Sequence, residues 1–203
     1  GCRPDNADGK IRELAEKSIS EIYPRLSCRA CFERYPVAFE NDGILNLGFA
    51  ETTSAGLKKN LDGCKEIILF AATIGMDTDR IIQKNSLLSP SAAVAAQAVG
   101  AAAIEGWCDI LCRRFEKTES MSGNHIRPRF SPGYGDFPLD IQRRIFSVLD
   151  CSRKIGVTLT DSLLMMPSKS VSAIVGIGGG KKKCTETGCA ACNNINCEFR
   201  ERK

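Results

Sequence analysis

Residues 129–138 read RFSPGYGDFP. Proline at 132 presets one turn position, and glycine at 133 supplies the backbone freedom the next requires. A turn built this way keeps its amides and carbonyls out of any sheet ladder and leaves them to face a ligand. Arg129, three residues before the proline, carries the planar fork that pairs with a carboxylate through two hydrogen bonds. Tyr134 adds an aromatic face with a hydroxyl at its tip.

Reading outward, residues 118–137 form a loop, with Pro128, Pro132, Gly133 and Gly135 inside it. After it, PLDIQRRIFSVLD is helical, with Ile141, Ile145 and Leu149 on one face. Before it, Ser89-Pro90 gives an N-cap and a first-turn proline, which open a long alanine-rich helix over about 91–117. Glu105 lies in that helix among small residues, where an acid can meet the amine of a bound ligand. Arginine for a carboxylate, an acid for an amine and a turn backbone for a base together suit a nucleoside that carries an amino acid.

The rest of the chain mixes helices with separated strands. KIRELAEKSISEI, 10–22, spaces Ile11, Leu14, Ala15, Ile19 and Ile22 as a helix that Pro24 ends. PVAF and GILNLGF predict short strands, and residues 54–62 a helix. EIILFAATIG, 66–75, is a continuous apolar run and predicts a buried strand. MDTDRIIQK opens a helix with acids in its first turn. VTLTDSLLMM and KSVSAIVGIG flank a turn at Pro167, the second alternating into a strand with one more polar face. No clean βα repeat emerges, which favours α+β over a doubly wound sheet. A glycine hinge follows from 178, so the expected division is a body over 1–178 and a tail over 179–203.

That tail, CTETGCAACNNINC, holds Cys184, Cys189, Cys192 and Cys197 in the spacing C-x4-C-x2-C-x4-C. Four soft thiolates on short Gly- and Asn-bearing turns can close on one zinc ion or one iron–sulfur cluster. The spacing does not choose between them. Eleven cysteines, an odd number, exclude a fully paired disulfide framework within one chain. So many thiols suit a reducing compartment, and cytoplasm is expected. No signal peptide is recognised; the opening Gly-Cys reads as a lipoprotein's cleaved end or as a start inside a longer N-terminus. A net charge of +4 with Lys181, Lys182 and Lys183 in the tail reads as a solvated basic segment, with no nucleic-acid partner expected. No apolar run suggests a membrane span.

Several attractive motifs fail. GIGGGK lacks the first glycine and the Ser/Thr of a phosphate loop, since 175 is Val and 182 is Lys. His125 is the sole histidine and reads as a loop residue. Cys28 and Cys31 form a C-x-x-C that suits a redox pair or half of a metal site. Cys64, Cys108, Cys112 and Cys151 read as small buried hydrophobes.

RFSPGYGDFP resembles the R-x-x-P-G-Y element of the reactivation domain of vitamin B12-dependent methionine synthase. LFAATIGMDTDRII, the alanine-rich helix and GVTLTDSLLMMPSKSVSAIVGIG fall in that family's order, so the resemblance covers about residues 10–178. It is nearest to free-standing versions with a cysteine-rich tail. The resemblance implies an α+β fold with a twisted antiparallel sheet and flanking helices. It implies binding of S-adenosylmethionine, with Arg129 holding the ligand, Ser131 and Gly133 lining the site by their backbone, Tyr134 beside the corrin and Glu105 as a further contact. It also implies a role in reductive methylation of cob(II)alamin, with the cobalamin held by a methionine synthase or another corrinoid protein in trans. Electrons would come through a tail [4Fe–4S] cluster or from flavodoxin or ferredoxin; zinc remains the alternative in the tail. Two other readings stand beside this one: an iron–sulfur redox activator of a different corrinoid methyltransferase, and a non-catalytic zinc-bearing interaction module.

Overall fold

The computed structural model describes residues 9–40 and 43–179. The four tail cysteines lie outside them. The fold is α+β. Its largest sheet has four strands in the order β1 (Arg29–Pro36), β5 (Glu66–Thr73), β9 (Ser170–Gly179), β6 (Asn124–Ile126). The two inner strands, β5 and β9, are buried along nearly their whole lengths. The apolar run at 66–73 therefore marks a central strand, as the sequence predicts. The described residues divide into two compact units.

The first unit takes its described residues from 1–31, 72–110 and 151–171. It contains α1 (Gly9–Ile22), a 3-10 turn at Tyr23–Arg25, α3 (Asp77–Leu88), most of α4 (Pro90–Ser120), α6 (Cys151–Ile155) and the pair β7 (Thr158–Leu159) and β8 (Met165–Met166). Ile22, Ile81, Ile82 and Ala96 form a buried cluster, with Leu26 and Val99 against it. Helix α1 starts and stops where its spacing indicates, yet its buried face differs from the apolar count. Ile11 and Ile19 are exposed, and Ser18 is buried with its hydroxyl donating to the Leu14 carbonyl at 2.8 Å. The Ser89 cap is present: its Oγ accepts from Ala92 N at 3.4 Å as α4 begins. Helix α4 is long and apolar enough to cross a membrane by length and composition; Ala96, Ile104 and Cys108 are buried within the fold. In α3, Asp79 accepts from Ser168 N and Ser168 Oγ, which fixes the segment leading into β9.

The second unit takes its described residues from 32–71, 111–150 and 172–203. It holds the small antiparallel sheet β2 (Ala38–Phe39), β3 (Leu45–Asn46), β4 (Glu51–Thr52), with Ala38 opposite Asn46 and Leu45 opposite Thr52. Helix α2 (Ala55–Asn60) follows, and α5 (Ile141–Leu149) closes on Asp150 in the left-handed region at φ 52°. Leu45, Leu47, Leu57, Leu61, Ile67, Leu69, Phe70, Ile145 and Leu149 are fully buried. Of the helical face read at 141, 145 and 149, Ile145 and Leu149 are buried and Ile141 is half-buried, while Gln142 joins the buried side.

Three local expectations are corrected. The loop expected over 118–137 contains strand β6, antiparallel to β9 with Asn124 opposite Gly179, His125 opposite Gly178 and Ile126 opposite Ile177. Pairing thus continues through Gly178 and Gly179, where the sequence suggests a hinge. The polar face expected on β9 is absent as well. Ser170 and Ser172 are buried, and Ser170 Oγ satisfies itself on the Pro167 carbonyl at 2.8 Å. A strand between two neighbours, covered on both faces, buries its alternate serines with its valines.

Candidate functional site

The turn at 131–137 is anchored from both sides. On entry, the chain runs on from β6 alongside β9. Arg127 N donates to Gly176 O at 2.8 Å, and Phe130 exchanges two 2.9 Å backbone bonds with Ile174. Within the turn, Tyr134 N donates to Ser131 O (3.1 Å), Phe137 N to Tyr134 O (3.0 Å) and Gly133 N to Phe137 O (2.8 Å). Gly133 takes φ +86°, a conformation that side chains with a Cβ rarely adopt, so glycine is required there. The aromatic residues set the turn's footing. Phe137 is buried, with its ring centroid 6.1 Å from that of Phe130, and Phe130 in turn meets Tyr134 edge-to-face at 6.4 Å. Tyr134 itself is 66% exposed. Buried Phe137 and half-buried Phe130 hold one face of the turn, while Tyr134 is exposed to solvent.

Arg129 and Ser131 are half-buried and flank this turn. Arg129, Ser131, Gly133 and Tyr134 thus sit together in six consecutive residues of the second unit. Glu105 is exposed on α4 and belongs to the first unit. Cys184, Cys189, Cys192 and Cys197 fall outside the described residues. Among the described residues, no group of three His, Cys, Asp or Glu side chains comes together to hold a metal.

The other singled-out residues resolve as follows. Cys28 is exposed and Cys31 buried, and the Cys31 thiol lies 3.9 Å from that of Cys151. Burial pushes the Cys28 thiol up from its ordinary value. It does the same to Cys64, against the opposing pull of Arg127. His125 lies in β6, with Nδ1 3.3 Å from Glu116 Oε1, while Glu116 Oε2 accepts from Ile126 N at 2.8 Å. It serves the edge of the sheet.

Sequence reasoning missed the acid that holds the turn. Asp136 Oδ1 accepts from Ser54 Oγ at 2.6 Å and from Gly56 N at 3.1 Å, and Oδ2 accepts from Ala55 N at 2.6 Å. These donors, the Ser54 hydroxyl foremost, keep the carboxyl below the usual aspartate range. Ser54 Oγ also accepts from Leu57 N at 3.0 Å, so it caps α2. The one local signal here is a serine three residues before an apolar helical position, which points to a cap and not to Asp136.

Two comparisons bear on this arrangement. The fold is that of a MetH reactivation domain. The crystal structure of that domain bound to AdoHcy matches with a TM-score of 0.64 and 17% identity, over 90% of this chain and 71% of that one. The sequence model for the activation domain of vitamin B12 dependent methionine synthase matches residues 106–194. That stretch includes Arg129, Ser131, Gly133 and Tyr134 and begins one residue after Glu105. The resemblance carried by RFSPGYGDFP therefore holds in both sequence and fold. No curated protein matches the chain.

Proposed function

We propose that the chain binds S-adenosylmethionine at the 129–134 turn and serves as the reactivation component of a cobalamin-dependent methionine synthase, with the cobalamin held by a partner protein. The observation that carries this reading is the turn itself. Its backbone is fixed by three internal hydrogen bonds and a buried aromatic footing, Tyr134 is left exposed, and all of it lies in the stretch matched to the activation domain. The residues suit the ligand. The Arg129 guanidinium is the group for its carboxylate, the Ser131 and Gly133 backbone flanks the base, and Tyr134 presents a ring toward an incoming corrin. When bound, S-adenosylmethionine supplies an electrophilic methyl group whose leaving group is a neutral thioether. No general acid is needed, which fits a turn without histidine. This chain's share is positioning, worth several kcal/mol when a reacting carbon is held near attack distance.

For the tail, the four closely spaced cysteines are the support for a [4Fe–4S] cluster that passes an electron, with zinc as the alternative and flavodoxin or ferredoxin as external donors. A cytoplasmic setting is consistent with the many thiols. The test mixes the chain, under reducing anaerobic conditions, with a cob(II)alamin-loaded methionine synthase lacking its own reactivation domain and with methyl-labelled S-adenosylmethionine. Label recovered as methylcobalamin, dependent on this chain, supports the proposal; transfer only with a different corrinoid protein points to another methyltransferase as client, and transfer with neither refutes the proposal. Iron and sulfide in the anaerobically purified protein support the cluster, and zinc alone removes it.

A further inference from the structure

We infer that Asp136 is a positioning residue for the ligand turn: its carboxylate ties the 131–137 turn to the start of α2 and so sets the geometry in which Ser131, Gly133 and Tyr134 meet S-adenosylmethionine. The inference rests on the function proposed above. Three groups converge on one exposed carboxylate, the Ser54 hydroxyl and the Ala55 and Gly56 amides, all within 3.1 Å. A surface aspartate whose only task is solubility has no reason to collect them. The contact is also shaped to fit. A Cβ added at Gly56 would come within 2.9 Å of Asp136 Oδ1 and 3.3 Å of the Phe130 ring, so a larger residue there would push the carboxylate from its present position. Asp136 lies between Tyr134 and Phe137, the two residues whose backbone bond closes the turn. Phe137 and the Phe130–Ile174 bridge fix the turn from beneath and at its entry; the carboxylate fixes its far side against a separate element. Hydrogen bonds to a charged acceptor are roughly twice as strong as neutral ones, which suits a tether at a solvent-facing position.

Calorimetric titration with S-adenosylmethionine and amide hydrogen exchange, each on wild type, Asp136→Ala and Asp136→Asn, test this. The expected results for Asp136→Ala are at least tenfold weaker affinity and faster exchange at the Tyr134, Phe137, Ala55 and Gly56 amides, with exchange at Ile68 and Leu69 unchanged. Asp136→Asn keeps the shape and one acceptor and falls between, which also covers a poorly folded alanine variant. Ser54→Ala acts through the same tether, so its effect on affinity combined with Asp136→Ala is less than additive. Unchanged affinity in both Asp136 variants overturns the inference, even if the melting temperature drops, because the residue is then only structural. Wild type that fails to bind overturns the proposed function instead, and exchange at the turn then decides the tether alone.

Discussion

Replacing Phe137 by alanine tests whether the turn stands on its aromatic footing. The side chain is 1% exposed and has Phe130 as a ring partner at 6.1 Å. Truncating a buried phenylalanine removes its transfer free energy and leaves a cavity, together about 3–5 kcal/mol. With a urea m-value of about 2–3 kcal/mol per molar for a chain of this length, the unfolding midpoint should fall by about 1–2.5 M. The corresponding melting temperature falls by about 6–20 °C. Phe137→Leu returns much of the apolar volume and should recover at least half of the loss. Urea unfolding followed by far-ultraviolet circular dichroism gives the numbers. A loss below about 1 kcal/mol in Phe137→Ala would show that the ring is not a support, and the account of the turn's rigidity would fall with it.

Arg129→Ala should weaken S-adenosylmethionine binding at least tenfold, about 1.4 kcal/mol, by removing a charge-assisted pair, and calorimetry checks it. Arg34 reaches both Glu119, whose side chain is 5% exposed, and Glu66, at 48%. Arg34→Ala should therefore cost about 1–2 kcal/mol, because it leaves the buried Glu119 carboxylate with only the Asn124 amide at 3.5 Å, discounted for the arginine's own exposure. Glu66→Ala should cost under about 1 kcal/mol, and a denaturation cycle with Glu119→Gln should show Arg34 and Glu119 coupled. Tyr35 is pushed up to about 12 by burial and by its hydroxyl's bond to Glu33 at 2.9 Å. A raised tyrosine favours the neutral phenol in the folded state, so its contribution is full below about pH 10 and is lost as pH rises through about 12. Absorbance titration should show a late phenolate step that Tyr35→Phe abolishes.

Much of the fold was legible because single residues punctuate it. Ser89-Pro90 opens α4 and the unbroken run at 66–73 is a central strand, since local chemistry decides both. Strand β6 was hidden because its three residues are unremarkable alone and exist as a strand only by pairing with β9, some fifty residues later. The buried serines of β9 failed for the same reason, as alternation reports one covered face and this strand has two. The turn at 131–137 was readable as a turn from a contiguous motif whose chemistry is local, with Gly133 at positive φ after Pro132. Asp136 was not. An acid after Gly135 reads as a polar turn residue until Ser54, Ala55 and Gly56, some eighty positions earlier, are seen to converge on it. Nothing in the residues around 54–56 signals that convergence.

The central claim is that the 129–134 turn grips a methyl-donating nucleoside. Isothermal titration of the full chain with S-adenosylmethionine tests it most directly. The account predicts saturable heat at one site per chain, lost or weakened at least tenfold in Arg129→Ala. The absence of any heat with folded wild-type protein, or equal binding by the Arg129 variant, would contradict it.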